Sequence, residues 1–113
     1  TNKFKGIVKN SMVETPIGIL KTAQNMEGKH VEIHVRPQAI NLQQEQTPVN
    51  GVKGTVVASR LMGSYSFVHI SVLDKNNEVI HVHSHMPSSF SPEQSSAVGI
   101  EVDVKQTFIF SIN

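Results

Sequence analysis

Val31-Glu-Ile-His-Val-Arg-Pro-Gln-Ala-Ile-Asn-Leu42 changes rhythm in the middle. Val31, Ile33 and Val35 alternate with Glu32, His34 and Arg36, the period of a half-buried strand. The alternation stops at Pro37, which has no N–H to give a ladder and whose fixed φ suits the first position of a short helical turn. Ala39, Ile40 and Leu42 then supply three apolar residues, and a second β segment opens with Gly51-Val-Lys-Gly-Thr-Val-Val57.

The same two-residue period recurs through the chain. Val68, Ile70 and Val72 alternate with His69, Ser71 and Leu73; Ile80 and Val82 with His81 and His83; Val102 and Val104 with Asp103 and Lys105. Turn residues separate these runs, as at Thr15-Pro16-Ile17-Gly18, Glu27-Gly28, Pro48-Val49-Asn50-Gly51, Asp74-Lys-Asn-Asn77 and Val98-Gly99. No run of ten residues carries a helical stripe. Single helical turns are expected at Pro37–Ile40 and at Ser91–Gln94, where Ser91 is a suitable cap. The chain reads as all-β.

A weak internal repeat is visible. Phe4-Lys-Gly-Ile-Val-Lys-Asn-Ser11 aligns with Val52-Lys-Gly-Thr-Val-Val-Ala-Ser59, and Gly28 to Ile33 with Gly99 to Val104. Two halves of about 1–46 and 47–113 follow, joined by the polar stretch Gln43–Asn50. Pattern alone leaves duplication and chance both open.

Composition narrows function. The 113 residues have a net charge of +1 and only 17% charged residues, with no basic run, so the footprint of a nucleic-acid binder is missing. Phe108-Ile-Phe110 has no interleaved Lys or Arg, which also argues against single-strand stacking. The absence of cysteine excludes disulfides, thiolate metal sites and cysteine nucleophiles, and fits a cytoplasmic protein. No apolar run is long enough to span a membrane as a helix. The start at Thr1 suggests a fragment of a longer polypeptide, although removal of an initiator Met would look the same.

Several landmarks resemble, in order, the C-terminal domain of ATP-binding subunits of bacterial ABC importers, the transport-associated OB-like module. They are Thr15-Pro-Ile-Gly-Ile-Leu20; Gly28 through Arg36-Pro37-Gln38 to Leu42; Gly54-Thr-Val56 with Leu61-Met62-Gly63; Gly99-Ile-Glu-Val102; and the closing Phe108-Ile-Phe110. Gln38 stands where the family usually has Glu, and Met62 separates a Leu-Gly pair.

The resemblance implies a small OB-like β-barrel, arranged as tandem half-barrels with single-turn helices. It also implies a non-catalytic regulatory and dimerisation role in uptake of iron, an oxyanion, a sugar or a polyamine. There is no Gly-x-x-x-x-Gly-Lys-Ser/Thr loop, so the chain itself holds no cofactor; ATP and magnesium belong to an ATPase domain outside these residues. The implied partners are that ATPase domain, a second copy of the chain and, indirectly, the permease. No nucleic acid and no direct membrane insertion are expected, and the location is cytoplasmic, peripheral to the inner membrane. Arg36, Arg60 and Gly63 are the candidate partner contacts, with Arg60 placed on a Leu-Met-Gly loop. The tail Phe108–Ile112 either crosses to a second subunit or completes its own barrel.

One constellation carries chemical potential without the resemblance. His81, His83 and His85 share one face of a strand, and a turn over Asp74–Glu78 would bring His69 opposite His83. Val68, Ile70, Val72, Ile80 and Val82 would then face the core, while the four imidazoles share the outer face with Phe67. Such a cluster is a candidate zinc, nickel or copper site, or a plain polar face that becomes cationic below about pH 6.5. Barrels similar to the resembled module hold oxyanions at subunit interfaces, which implies a second, ligand-binding function for a small oxyanion or metal, with Lys5-Gly6 and Lys53-Gly54 as the oxyanion positions. Ser84, Ser88 and Ser89 lie near His85 but lack an oxyanion loop or a placed acid for nucleophilic catalysis.

Overall fold

The computed structural model describes residues 1–44 and 52–112. In it Val31, Ile33 and Val35 are fully buried while Glu32 and His34 face outward, as their alternation predicts. Arg36 is extended, with φ −65° and ψ 147°, the conformation that a following proline imposes. Pro37–Ala39 forms a single 3-10 turn, closed by Ala39 N–H donating to the Arg36 carbonyl at 2.8 Å. The chain then leaves as a new strand with Ile40 fully buried.

Ten strands appear among the described residues: β1 (Asn2–Ile7), β2 (Met12–Thr15), β3 (Gly18–Lys21), β4 (His30–Val35), β5 (Ile40–Gln44), β6 (Lys53–Leu61), β7 (Tyr65–Leu73), β8 (Val79–Pro87), β9 (Ala97–Val102) and β10 (Thr107–Ser111). Short 3-10 turns at Gln24–Met26 and Val104–Gln106, neither anticipated from sequence, accompany the one at Pro37. All strand pairs are antiparallel. They form a three-stranded sheet ordered β1-β4-β10, the hairpin β2-β3, and a five-stranded sheet ordered β5-β9-β6-β7-β8.

The two sheets are completed by exchange. β4 is flanked by β1 and β10, and β9 is flanked by β6 and β5. β1–β5 and β6–β10 thus follow one plan, with the last strand of each set joining the other's sheet. The 3-10 turns before those strands contact each other reciprocally: Asp103 N–H donates to the Ala39 carbonyl at 2.7 Å, and Arg36 N–H to the Gln106 carbonyl at 3.5 Å.

The register supports one half of the sequence repeat and corrects the other. Gly6 pairs with Val31 and Gly54 with Val98, so the match is structural from Phe4–Val8 to Val52–Val56, beyond which Lys9–Ser11 turn while Val57–Ser59 continue β6. A Cβ on Gly6 would lie 2.6 Å from Val13 Cγ2, and one on Gly54 2.5 Å from Ile70 Cγ2; each glycine lets β2 or β7 press against its neighbour. Gly28, however, corresponds to Ser95 rather than Gly99, which sits buried inside β9. The joint Gln43–Asn50, the turn Pro48–Gly51 and the boundary between residues 46 and 47 involve residues outside those described.

The core runs through both sheets: Val8, Ile33, Ile40, Ile70, Val82 and Ile100 are all essentially inaccessible. Burying each such side chain contributes roughly 1.5–3 kcal/mol. The domain is all-β and OB-like, but its sheets remain open rather than forming a closed barrel. Side chains bridge the gap where backbone ladders stop. Ser84 Oγ on β8 donates to the Ile40 carbonyl on β5, and Asn2 Nδ2 on β1 donates to the His83 carbonyl on β8 at 3.0 Å. The helical turn expected at Ser91–Gln94 is instead irregular chain ending in a turn, with Ser96 N–H on the Glu93 carbonyl and Ser95 at φ 71°.

Candidate functional site

The β7–β8 hairpin forms around Asp74, whose Oδ1 accepts the N–H groups of Asn76 (2.8 Å) and Glu78 (2.9 Å). That turn sets the register that the alternation implied, His69 opposite His83, with Val68, Ile70, Val72 and Val82 buried and Ile80 packed against the core. Tyr65, Phe67, His69, His81, His83 and His85 consequently line one outer face.

Their rings form a continuous ladder. Tyr65 and His85 lie 4.5 Å apart between centroids, Phe67 stacks on His83 at 5.3 Å, and His69 meets His83 at 4.6 Å and His81 at 4.8 Å. His69 Nε2 and His81 Nδ1 are 2.8 Å apart, so one ring nitrogen donates and the other accepts. Burial, reinforced by His81, holds His69 below the ordinary histidine value; burial, then His69, the Thr1 amino group and His81, does the same for His83. Among the described residues no three His, Cys, Asp or Glu side chains are arranged to hold a metal ion. The imidazoles meet one another and the aromatic rings instead of converging on a point.

The outer face of the three-stranded sheet is the second feature. Register rows cross it as Lys3, His34, Phe108 and as Lys5, Glu32, Phe110. His34 Nε2 lies 2.5 Å from Glu32 Oε1, and that hydrogen bond is the main reason the Glu32 carboxyl sits below the usual range. Phe110 meets His34 edge-on at 5.1 Å. Arg36 places its guanidinium carbon 5.2 Å from the Phe108 ring centroid, a cation–π contact on an exposed surface. β10 is an edge strand of this sheet, and Phe108, Phe110 and Ile112 remain 41–50% exposed beside it. The tail strand β10 pairs with β4 of the same chain.

Arg60 is not on a loop. It is an exposed residue of β6 opposite Phe67, because the β6–β7 ladder continues to Leu61–Ser66 before turning through Gly63 at φ 86°. Arg60 and Gly63 thus share the turn end of the β6–β7 hairpin, whereas Arg36 precedes the Pro37–Ala39 turn. The two Lys-Gly pairs each line a groove. Lys5 and Gly6 border one of about 760 Å³ with Lys9 and Lys75, and Lys53 and Gly54 border one of about 690 Å³; Pro16 contributes to both. Lys9 and Lys75 carry no sequence signal for this, since distant turns bring them there. Tyr65 was legible from parity, being two residues before Phe67.

Ser84 is buried and donates its hydroxyl to a backbone carbonyl, which removes it as a candidate nucleophile in this arrangement. Among the described residues no helix is long and apolar enough to cross a membrane. A family model described as a TOBE domain matches residues 33–110, from the middle of β4 through β10. No curated protein matches the chain.

Proposed function

Because this chain belongs to the TOBE domain family, we propose that it serves as the non-catalytic regulatory and dimerisation module of an ABC importer ATP-binding subunit. Its partners in this reading are its own ATPase domain and a second copy of the chain, with the permease reached indirectly. ATP and magnesium would be held by the ATPase domain, in the cytoplasm beside the inner membrane. The solute is an iron complex, an oxyanion, a sugar or a polyamine. Surface contacts would bias the ATPase dimer between open and closed states, and a bias of about 1–2 kcal/mol changes their ratio several-fold.

The observation carrying this reading is strand β10, an edge with exposed Phe108, Phe110 and Ile112 on one side. A sheet edge bearing exposed apolar side chains favours pairing with a like edge about a two-fold axis. Size-exclusion chromatography with light scattering tests it. A native chain of dimer mass and a monomeric Phe108→Ser/Phe110→Ser variant are expected. A native chain that stays monomeric at millimolar concentration, or a dimer indifferent to both substitutions, overturns it.

A second reading, binding of a small oxyanion, is favoured by the grooves at Lys5-Gly6 and Lys53-Gly54. The glycines themselves have a packing reason to be there, so the lysines carry this reading. Stabilisation of the chain by molybdate, tungstate, sulfate or ferric citrate in a thermal-shift assay supports it, and no shift with any of them removes it.

A further inference from the structure

One residue of β8 belongs to two structures at once. The backbone of His83 is held by the side chain of Asn2: His83 N–H donates to Asn2 Oδ1 at 2.8 Å, and Asn2 Nδ2 donates to the His83 carbonyl at 3.0 Å and to the Val35 carbonyl at 3.1 Å. Asn2 is buried and sits at the start of β1, so these bonds fasten β1 to the outer edge of β8. The imidazole of His83 meanwhile stacks in the outer ladder between Phe67 and His69. We propose that the Asn2–His83 junction is a proton-sensitive clasp: protonating the β7–β8 histidine face loosens β1 from β8, and neutral pH fastens it.

The surroundings give added protons no compensation. The outward positions of this face are Tyr65, Phe67, His69, Ser71 and Leu73 on β7 and Val79, His81, His83, His85 and Pro87 on β8. On the neighbouring β6, Ala58 lies opposite His69 and Arg60 opposite Phe67. Just ahead of β1, the Thr1 amino group opposes protonation of His83. Every charged or titratable group among these other than Tyr65 is basic; none is Asp or Glu. The acids of the β7–β8 hairpin are Asp74 and Glu78 in its turn, and the Asp74 carboxylate is already accepting two backbone N–H groups.

Neutral rings tolerate centroid separations of 4.6–4.8 Å, whereas like charges at that distance repel. Opening the junction also frees the Thr1 amino group, next to Asn2, to move away from the His83 ring whose protonation it opposes. The sign follows by linkage. The native values of His69 and His83 lie below 6.5, so the closed junction is fully favoured above pH 6.5 and loses stability as pH falls from there through the native values.

Amide hydrogen exchange by NMR, corrected for the intrinsic pH dependence of exchange, reads the clasp directly at the His83 N–H. Between pH 7.5 and 5.0 its protection is expected to fall about tenfold relative to the Ile33 amide in the central strand β4. In His69→Gln the fall is expected to shrink below about threefold. Equal protection at both pH values in the native chain, or an undiminished fall in the variant, overturns the proposal. Should His69→Gln not fold, His81→Gln at an exposed position serves the same comparison, with a smaller fall than native expected and an equal fall overturning it.

Discussion

Gly28 and Ser95 occupy equivalent positions in the two sets of strands. Gly28 has φ 76° and donates its N–H to the Val8 carbonyl at 2.9 Å; Ser95 has φ 71° and donates to the Val56 carbonyl at 2.8 Å. The neighbouring bonds agree as well, Val8 N–H to the Lys29 carbonyl and Val56 N–H to the Ser96 carbonyl. One backbone turn is therefore built twice, once with a residue suited to left-handed φ and once without.

That difference sets opposite signs for two substitutions. A side chain at left-handed φ costs about 1–2 kcal/mol, part of which is returned by the lower entropy of the unfolded non-glycine chain. Ser95→Gly is expected to stabilise the domain by about 0.5–1 kcal/mol, and Gly28→Ala to destabilise it by about 1 kcal/mol. Urea unfolding midpoints at constant m-value check both. A destabilising Ser95→Gly would mean that the serine side chain contributes more than its backbone strain costs.

Ser66 and Ser84 give a second opposed pair. Both are fully buried on adjacent strands, yet Ser84 Oγ donates to the Ile40 carbonyl while Ser66 Oγ has no hydrogen-bond partner among the described residues. An unsatisfied buried hydroxyl costs about 1–3 kcal/mol, and a satisfied one contributes about 1 kcal/mol net. Ser66→Ala is expected to raise stability by about 1 kcal/mol and Ser84→Ala to lower it by about 1–2 kcal/mol. Differential scanning calorimetry of the two single variants decides it, and two changes of the same sign would refute the assignment.

The contrast between these positions marks what could be read from the chain. The β7–β8 register was legible because alternation fixes the face of each residue, and Asp74 with the Asn-Asn pair closes the turn. The stop at Arg36-Pro37 was legible because proline imposes its geometry locally. Gly99 misled because Gly-x-x-Val resembles the approach to β4, whereas the true counterpart of Gly28 is a serine and leaves no compositional trace. The exchange of β5 and β10, the bridging by Asn2 and the meeting of Lys5, Lys9 and Lys75 depend on distant segments. No local pattern encodes them.

Asn2 itself is expected to matter more than its place near the chain start suggests. Asn2→Ala removes bonds to the Val35 carbonyl and to both backbone groups of His83, leaving part-buried polar groups unpaired. A loss of about 2–3 kcal/mol is expected. Asn2→Asp keeps an acceptor for the His83 N–H but turns its ionised oxygens toward two carbonyls, so it should be no better than alanine at pH 7. Urea denaturation compares the three proteins, and near-native stability in Asn2→Ala would rule out the bridging role.

Glu27 links the Gln24–Met26 turn to the β1–β2 connection through charge-assisted hydrogen bonds. Its carboxylate accepts the N–H of Ser11 and of Asn10, each at 2.9 Å, where Asn10 and Ser11 both have left-handed φ. The Ser11 bond, followed by the Asn10 bond, holds the carboxyl below its ordinary value of 4.5. The native state thus favours the ionised form. The stability it contributes is complete above pH 4.5 and is lost as pH falls through the lower native value. Glu27→Gln accepts these N–H groups through a single neutral oxygen and has no carboxyl to titrate. Its unfolding midpoint is expected to decline less steeply than the native protein's between pH 5 and pH 3. Parallel acid limbs for the two proteins would show that the carboxylate bonds at Asn10 and Ser11 do not couple to folding.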